Sequence, residues 1–106
     1  MKITAKDHIH FFRSEDIVRF ESGHEGVVIF FRNGHTEIIR SDIDRLAEEI
    51  EEQGFVRVHP AHIINVNQIA RIPEMSTDMV ELENGDIIPI LPNTREQLIT
   101  LLKDHI

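Results

Sequence analysis

Twice in this chain an Asn-Gly pair stands between two short apolar runs: Asn33-Gly34 between VVIFFR and HTEIIR, and Asn84-Gly85 between MVEL and DIIPIL. Both residues tolerate positive φ, so each pair predicts a tight antiparallel hairpin with a type I′ turn. The runs HIHFF, EDIVRF, FVRVH, IIN and QIARI are equally short and rich in β-branched and aromatic residues, which is strand composition. In MVELEN the side chains alternate, with Met79, Glu81 and Glu83 on one face and Val80 and Leu82 on the other, so one face of that strand is wet. The spacing predicts a mainly β chain of antiparallel strands.

Two segments break the strand pattern. Within Ser41–Gln53, Ile43, Leu46, Ala47 and Ile50 fall on one helical stripe with carboxylates opposite. Ser41 is read as the N-cap, Asp44 occupies the capping-box position, and Gly54 is placed to end the helix in a left-handed conformation. From Pro92 to Ile106 a second helix is expected, with Asn93 as cap, Glu96 at the capping-box position, and Leu98, Leu101 and Leu102 as its stripe. Neither repeat nor linker divides the 106 residues, so one domain over residues 1–106 is expected, large enough for one core.

Charge and composition narrow the function. Net charge is −8, which by itself disfavours a polyanion partner, because non-specific DNA affinity comes from lysine and arginine displacing counterions. The excess is local: Asp42, Asp44, Glu48, Glu49, Glu51 and Glu52 against Arg45 place −5 of it on the first helix. A basic face elsewhere stays open. Without cysteine there is no disulfide framework, thiolate metal site or cysteine nucleophile. The start MKITAKDHIHFF is not a signal peptide, and no run spans a bilayer, so a cytoplasmic protein is expected.

The histidines invite a metal reading. Zinc needs three or four converging ligands, whereas His8 with His10 and His59 with His62 are generic pairs, and Pro60 prevents a regular helical i, i+3 pairing. Ser14, Ser22, Ser41 and Ser76 lack a nucleophile elbow, and no phosphate-binding glycine loop occurs. The expectation is no enzyme, no cofactor and no metal.

The order of elements, with SEDIVRFES at residues 14–22, the SDIDRLAEEI helix, the block FVRVHPAHIINVNQIARI from Phe55 to Ile72, and ELENGDIIPI at residues 81–90, resembles the LytTR family of bacterial DNA-binding domains over nearly the whole chain. The resemblance implies an elongated fold of layered antiparallel sheets with one short helix mid-chain and one C-terminal helix. It also implies the output domain of a two-component response regulator in transcription. Family members place loops into successive major grooves of a direct-repeat promoter site. Double-stranded DNA is then the partner, with a second copy on DNA and an upstream receiver or sensor domain as further expected partners.

Carried onto this chain, the resemblance puts His24, His59, His62, Asn93 and Arg95 near the contact loops, with Arg57 and Arg71 as phosphate contacts. Each has another reading: Asn93 as a helix cap, Arg57 in an ion pair, His59 bonded within the fold. At two loops the chain departs from the family. Pro60-Ala61 stands where a basic or amide residue, often Arg-Ser, is usual, and Leu91-Pro92 stands where Ser-Arg is usual. Both changes remove side-chain donors that could reach bases or phosphates. A second reading therefore stands beside the first: a LytTR-like fold kept as a protein-interaction or regulatory module without DNA binding.

Overall fold

A computed structural model describes residues 1–75 and 78–104; Ser76 and the last two residues of the expected C-terminal helix, His105 and Ile106, lie outside the described residues. Among the described residues, ten strands fill three antiparallel sheets. β1 (Lys2–Thr4) pairs with β2 (Ile9–Phe11). A five-stranded sheet runs in the order β5-β4-β3-β7-β6, from β3 (Ile17–Ser22), β4 (Val27–Phe31), β5 (Thr36–Ile39), β6 (Phe55–His59) and β7 (His62–Asn65). β8 (Ile69–Arg71), β9 (Met79–Leu82) and β10 (Ile87–Pro89) form the third sheet. The α-helices α1 (Ile43–Glu49), mid-chain, and α2 (Pro92–Asp104), at the end, join them. The molecule measures 43 × 26 × 24 Å, so the expected elongated, layered β architecture is the one observed.

The layers follow from β3, whose first four residues are all buried. A strand buried on both faces needs cover on both. A register shift between Ile17 and Arg19 breaks the period of two at a bulge, so Ile17 and Phe20 join one core while Val18 joins the other. The first core is closed by Ile3 of β1 and by Ile43, Leu46 and Ile50 in and after α1. The second is closed by Val80, Leu82 and Ile88 of the third sheet and Leu98 of α2. At roughly 1.5–3 kcal/mol per fully buried large aliphatic side chain, these two contacts hold the layers together.

Several local expectations change. β1 was not anticipated, and QIARI begins as a 3₁₀ turn over Val66–Gln68. Asp42, not Ser41, caps α1, its carboxylate accepting from the Arg45 N–H at 2.9 Å. The helix stops at Glu49, so Gly54, although left-handed at φ 90°, belongs to the turn before β6. α2 starts at Pro92, where a missing N–H costs nothing; Asn93 therefore sits inside the first turn and is not the cap. Leu98 is buried in the α2 stripe, with Leu101 and Leu102 half-buried.

Both Asn-Gly pairs make hairpins, but not type I′ ones. Gly34 N–H donates to Phe31 O and Gly85 N–H to Leu82 O, while Phe31 N–H reaches His35 O and Leu82 N–H reaches Asp86 O. Within each of these two turns the glycine has positive φ and the asparagine does not, the signature of three-residue loops with a glycine bulge. The asparagines stay right-handed because their side chains bond forward, Asn33 Oδ1 accepting from His35 N–H and Asn84 Oδ1 from Asp86 N–H.

Candidate nucleic-acid interface

Three connections gather at one end of the five-stranded sheet. The β3–β4 loop, residues 23–26, is tied to the β6–β7 turn at the end of β3, where Ser22 N–H donates to Ala61 O at 2.8 Å. The junction between β10 and α2 is tied to the end of β6 by Leu91 N–H donating to Val58 O at 2.9 Å. Backbone hydrogen bonds fix these loops relative to one another independently of their side chains.

The β6–β7 turn is tight. His59 and His62 face each other across Pro60-Ala61, with ring centroids 5.3 Å apart. Histidine as the last residue of β6 and the first of β7 is where the resemblance places them. His59 Nδ1 is occupied, accepting from Ala61 N–H at 3.1 Å, so this ring supports the turn as the internal-bond reading expects. The His62 side chain is 13% exposed and its Nδ1 lies 3.5 Å from Glu21 Oε1, too long for a directed bond. Burial lowers its pKa, with His59 and Arg19 adding to the fall and Glu21 opposing it.

Behind the turn lies an ion cluster that joins two sheets. Arg19, nearly buried, donates through Nε to Asp86 at 2.9 Å and through Nη1 to Glu21 at 2.8 Å, and its guanidinium stacks 3.6 Å over Phe30. Burial raises the Asp86 pKa, but hydrogen bonds from Arg19 and Asn84 outweigh it and the carboxyl ends below its usual range. This arginine is structural, linking β3 to the β9–β10 turn.

The remaining expected contacts divide. His24 is exposed at the tip of the β3–β4 loop and Asn93 is exposed in the first turn of α2. Arg57 is engaged, its Nη2 donating to Pro60 O and pairing with Asp44 at 2.6 Å each. Arg71 pairs with Glu81 within the third sheet. Arg95 is folded down, 16% exposed, with Nη2 donating to Pro73 O and Nη1 paired to Glu96. The gathered loops therefore carry His24, His59, His62 and Asn93, with Arg57 bound behind the turn; Arg71 and Arg95 are committed to partners within the fold.

Two cations escaped the sequence reading. Lys6 and Arg40 line an open cleft with Ser22, Gly23, His24 and Asp42. Lys6 N–H donates to Arg40 O at 2.9 Å, and the α-carbon of Gly26 lies so close to β5 that an added Cβ would meet Ile39 O at 2.2 Å. Those contacts carry two exposed cations to the His24 loop from distant parts of the chain. Nothing in the local sequence of either marks it.

A mainly β domain that gathers short loops at one end of its central sheet, with helices packed against the outer layers, is the class this geometry defines. The model of the LytTr DNA-binding domain matches residues 7–103, and the chain belongs to that family. Among solved structures it is similar to the LytTr DNA-binding domain of a putative methyl-accepting/DNA response regulator from Bacillus cereus, at 17% identity and TM-score 0.73, over 96% of this chain and 94% of that one. No curated protein matches it. Among the described residues no helix is long and apolar enough to cross a membrane.

Proposed function

We propose that this chain is the sequence-specific DNA-binding unit of a bacterial transcriptional regulator, acting as one domain and reading the major groove with its gathered loops. The observation that carries this reading is the backbone fastening of the β3–β4 and β6–β7 connections to each other, and of the β10–α2 junction to β6 beside them. In this reading His24 and Asn93 approach base edges, and Lys6 and Arg40 take phosphates beside them. A direct repeat suits a protein that presents one such face per copy, and a receiver or sensor domain upstream fits an output role.

Pro60 and Pro92 offer neither a side-chain donor nor an N–H to phosphate. The β6–β7 turn and the start of α2 that they occupy then shape the face without gripping it. Affinity is correspondingly modest and falls as salt rises.

The test is selection of bound duplexes from a randomised pool, followed by affinity of the winner against salt. A spaced direct repeat is expected. No enrichment by folded protein at low ionic strength would instead favour the protein-interaction reading.

A further inference from the structure

The turn between β1 and β2 brings together side chains that the sequence presents as an unremarkable run, Asp7-His8-Ile9-His10. The ligand atoms of Asp7, His8 and His10 lie within 4.8 Å of one another. Asp7 Oδ2 and His8 Nδ1 are 3.3 Å apart, close to the ~3.4 Å edge of a tetrahedron of ligands about 2.1 Å from zinc. We propose that Asp7, His8 and His10 form a binding site for a divalent transition-metal ion, with zinc as its archetype.

Strand geometry makes the site. Period two puts His8 and His10 on the same face of the strand, while Ile9 and Phe11 point to the other and are exposed. The His8 and His10 rings sit 5.7 Å apart. His10 stacks on Phe12 at 5.6 Å with only 6° between the planes, and Phe12 packs against the first core. That ring is therefore held. The backbone is held too: Ala5 N–H donates to His8 O at 2.8 Å, closing the turn, and Lys6 N–H anchors it to Arg40 O. Only the outer side chains must move to close on an ion, and Asp7 and His8 are exposed enough to do so.

The donor set chooses the ion. Two imidazoles and one carboxylate suit zinc, nickel and copper, and disfavour magnesium and calcium, which take oxygen ligands. Three protein ligands leave a further coordination position open to water or a partner's group. A bound ion ties the turn to β2 and so stiffens the hairpin that covers the first core. The site adjoins the Lys6–Arg40 cleft through Lys6, but its ligands are not among the residues given to DNA, and its existence does not depend on the DNA-binding reading.

The test is zinc titration of the whole chain by calorimetry, with nickel-induced broadening of NMR signals to locate the ion. One equivalent of zinc should bind, with broadening centred on residues 7–10. His8→Ala and His10→Ala should each weaken that binding about tenfold or more, whereas a His59→Ala, His62→Ala variant should retain it. His8 is exposed, so His8→Ala should keep the wild-type circular dichroism spectrum and leave the loss attributable to the ligand. Absence of stoichiometric binding, or binding that survives both single substitutions, overturns the proposal.

Discussion

The β6–β7 turn and the β3–β4 loop lie side by side, joined by one hydrogen bond, yet they have spent their polar groups differently. In the turn, His59 Nδ1, the Pro60 carbonyl and the Arg57 guanidinium are all bonded to one another's neighbourhood. In the loop, His24 is exposed and opens onto a cleft with Lys6 and Arg40. A turn whose Arg57 guanidinium and Pro60 carbonyl are bonded within the fold defines where DNA can sit; a loop flanked by exposed cations can hold it there. The difference teaches that a binding face can keep its shape while the charge that grips the partner moves to adjacent strands.

The comparison breaks most completely if the loop loses its seat. Gly26 has φ 148°, and a Cβ there would meet Ile39 O at 2.2 Å; Gly26→Ala should cost about 3 kcal/mol through combined strain and overpacking, read as a lower urea midpoint. Unchanged stability would mean that the loop is not seated on β5. Next in size, Lys6→Ala with Arg40→Ala should weaken DNA binding about thirtyfold and flatten the log–log salt slope by roughly 2, since each duplex phosphate contact contributes about 0.9. His59→Ala should weaken binding far less. An equal loss from both would erase the distinction between gripping loop and shaping turn.

The converse substitution restores charge to the turn and to the start of α2. Pro60→Arg together with Pro92→Arg should strengthen binding roughly fivefold and steepen the salt slope, measured by fluorescence anisotropy; no gain would place these positions away from the backbone of the DNA. The smallest effect concerns acid. Burial lowers the folded-state pKa of His62, so below about pH 6.5 the unfolded chain takes up the proton first. The stability this histidine contributes is present above that pH and is lost as pH falls through its folded pKa. Urea midpoints at pH 7.5 and 5.5 should fall more for the wild type than for His62→Gln; equal falls would assign the titration to another group.

Much of this was legible because it is local. Short β-branched runs, two Asn-Gly pairs and the 3.6-residue stripe at Ile43, Leu46 and Ile50 signalled strands, hairpins and a helix, and the order of elements carried the resemblance. The turn type was not legible, since whether Asn33 turns left-handed depends on whether its side chain finds the His35 N–H. The cap of α1 shifted by a single residue for a similar reason, with Ser41 and Asp42 adjacent and both able to cap. That His59 ends one strand and His62 begins the next was legible, because only two residues separate them. The nearness of Lys6 and Arg40 was not legible because the hydrogen bond uniting them spans 34 positions, and the bond from Arg95 to the Pro73 carbonyl was not, because it depends on how α2 packs. Period two aligned His8 with His10, but Asp7 joins them only through the shape of the β1–β2 turn.

The most direct test of the central claim is amide chemical-shift mapping of the chain on titration with the selected duplex. Perturbations concentrated at residues 22–26, 59–62 and 91–93, and extending to Lys6 and Arg40 with larger shifts there than at the Pro60 turn, are the predicted result. Perturbations centred on the acidic face of α1 or on Arg71 and the third sheet, with the gathered loops unmoved, would contradict it.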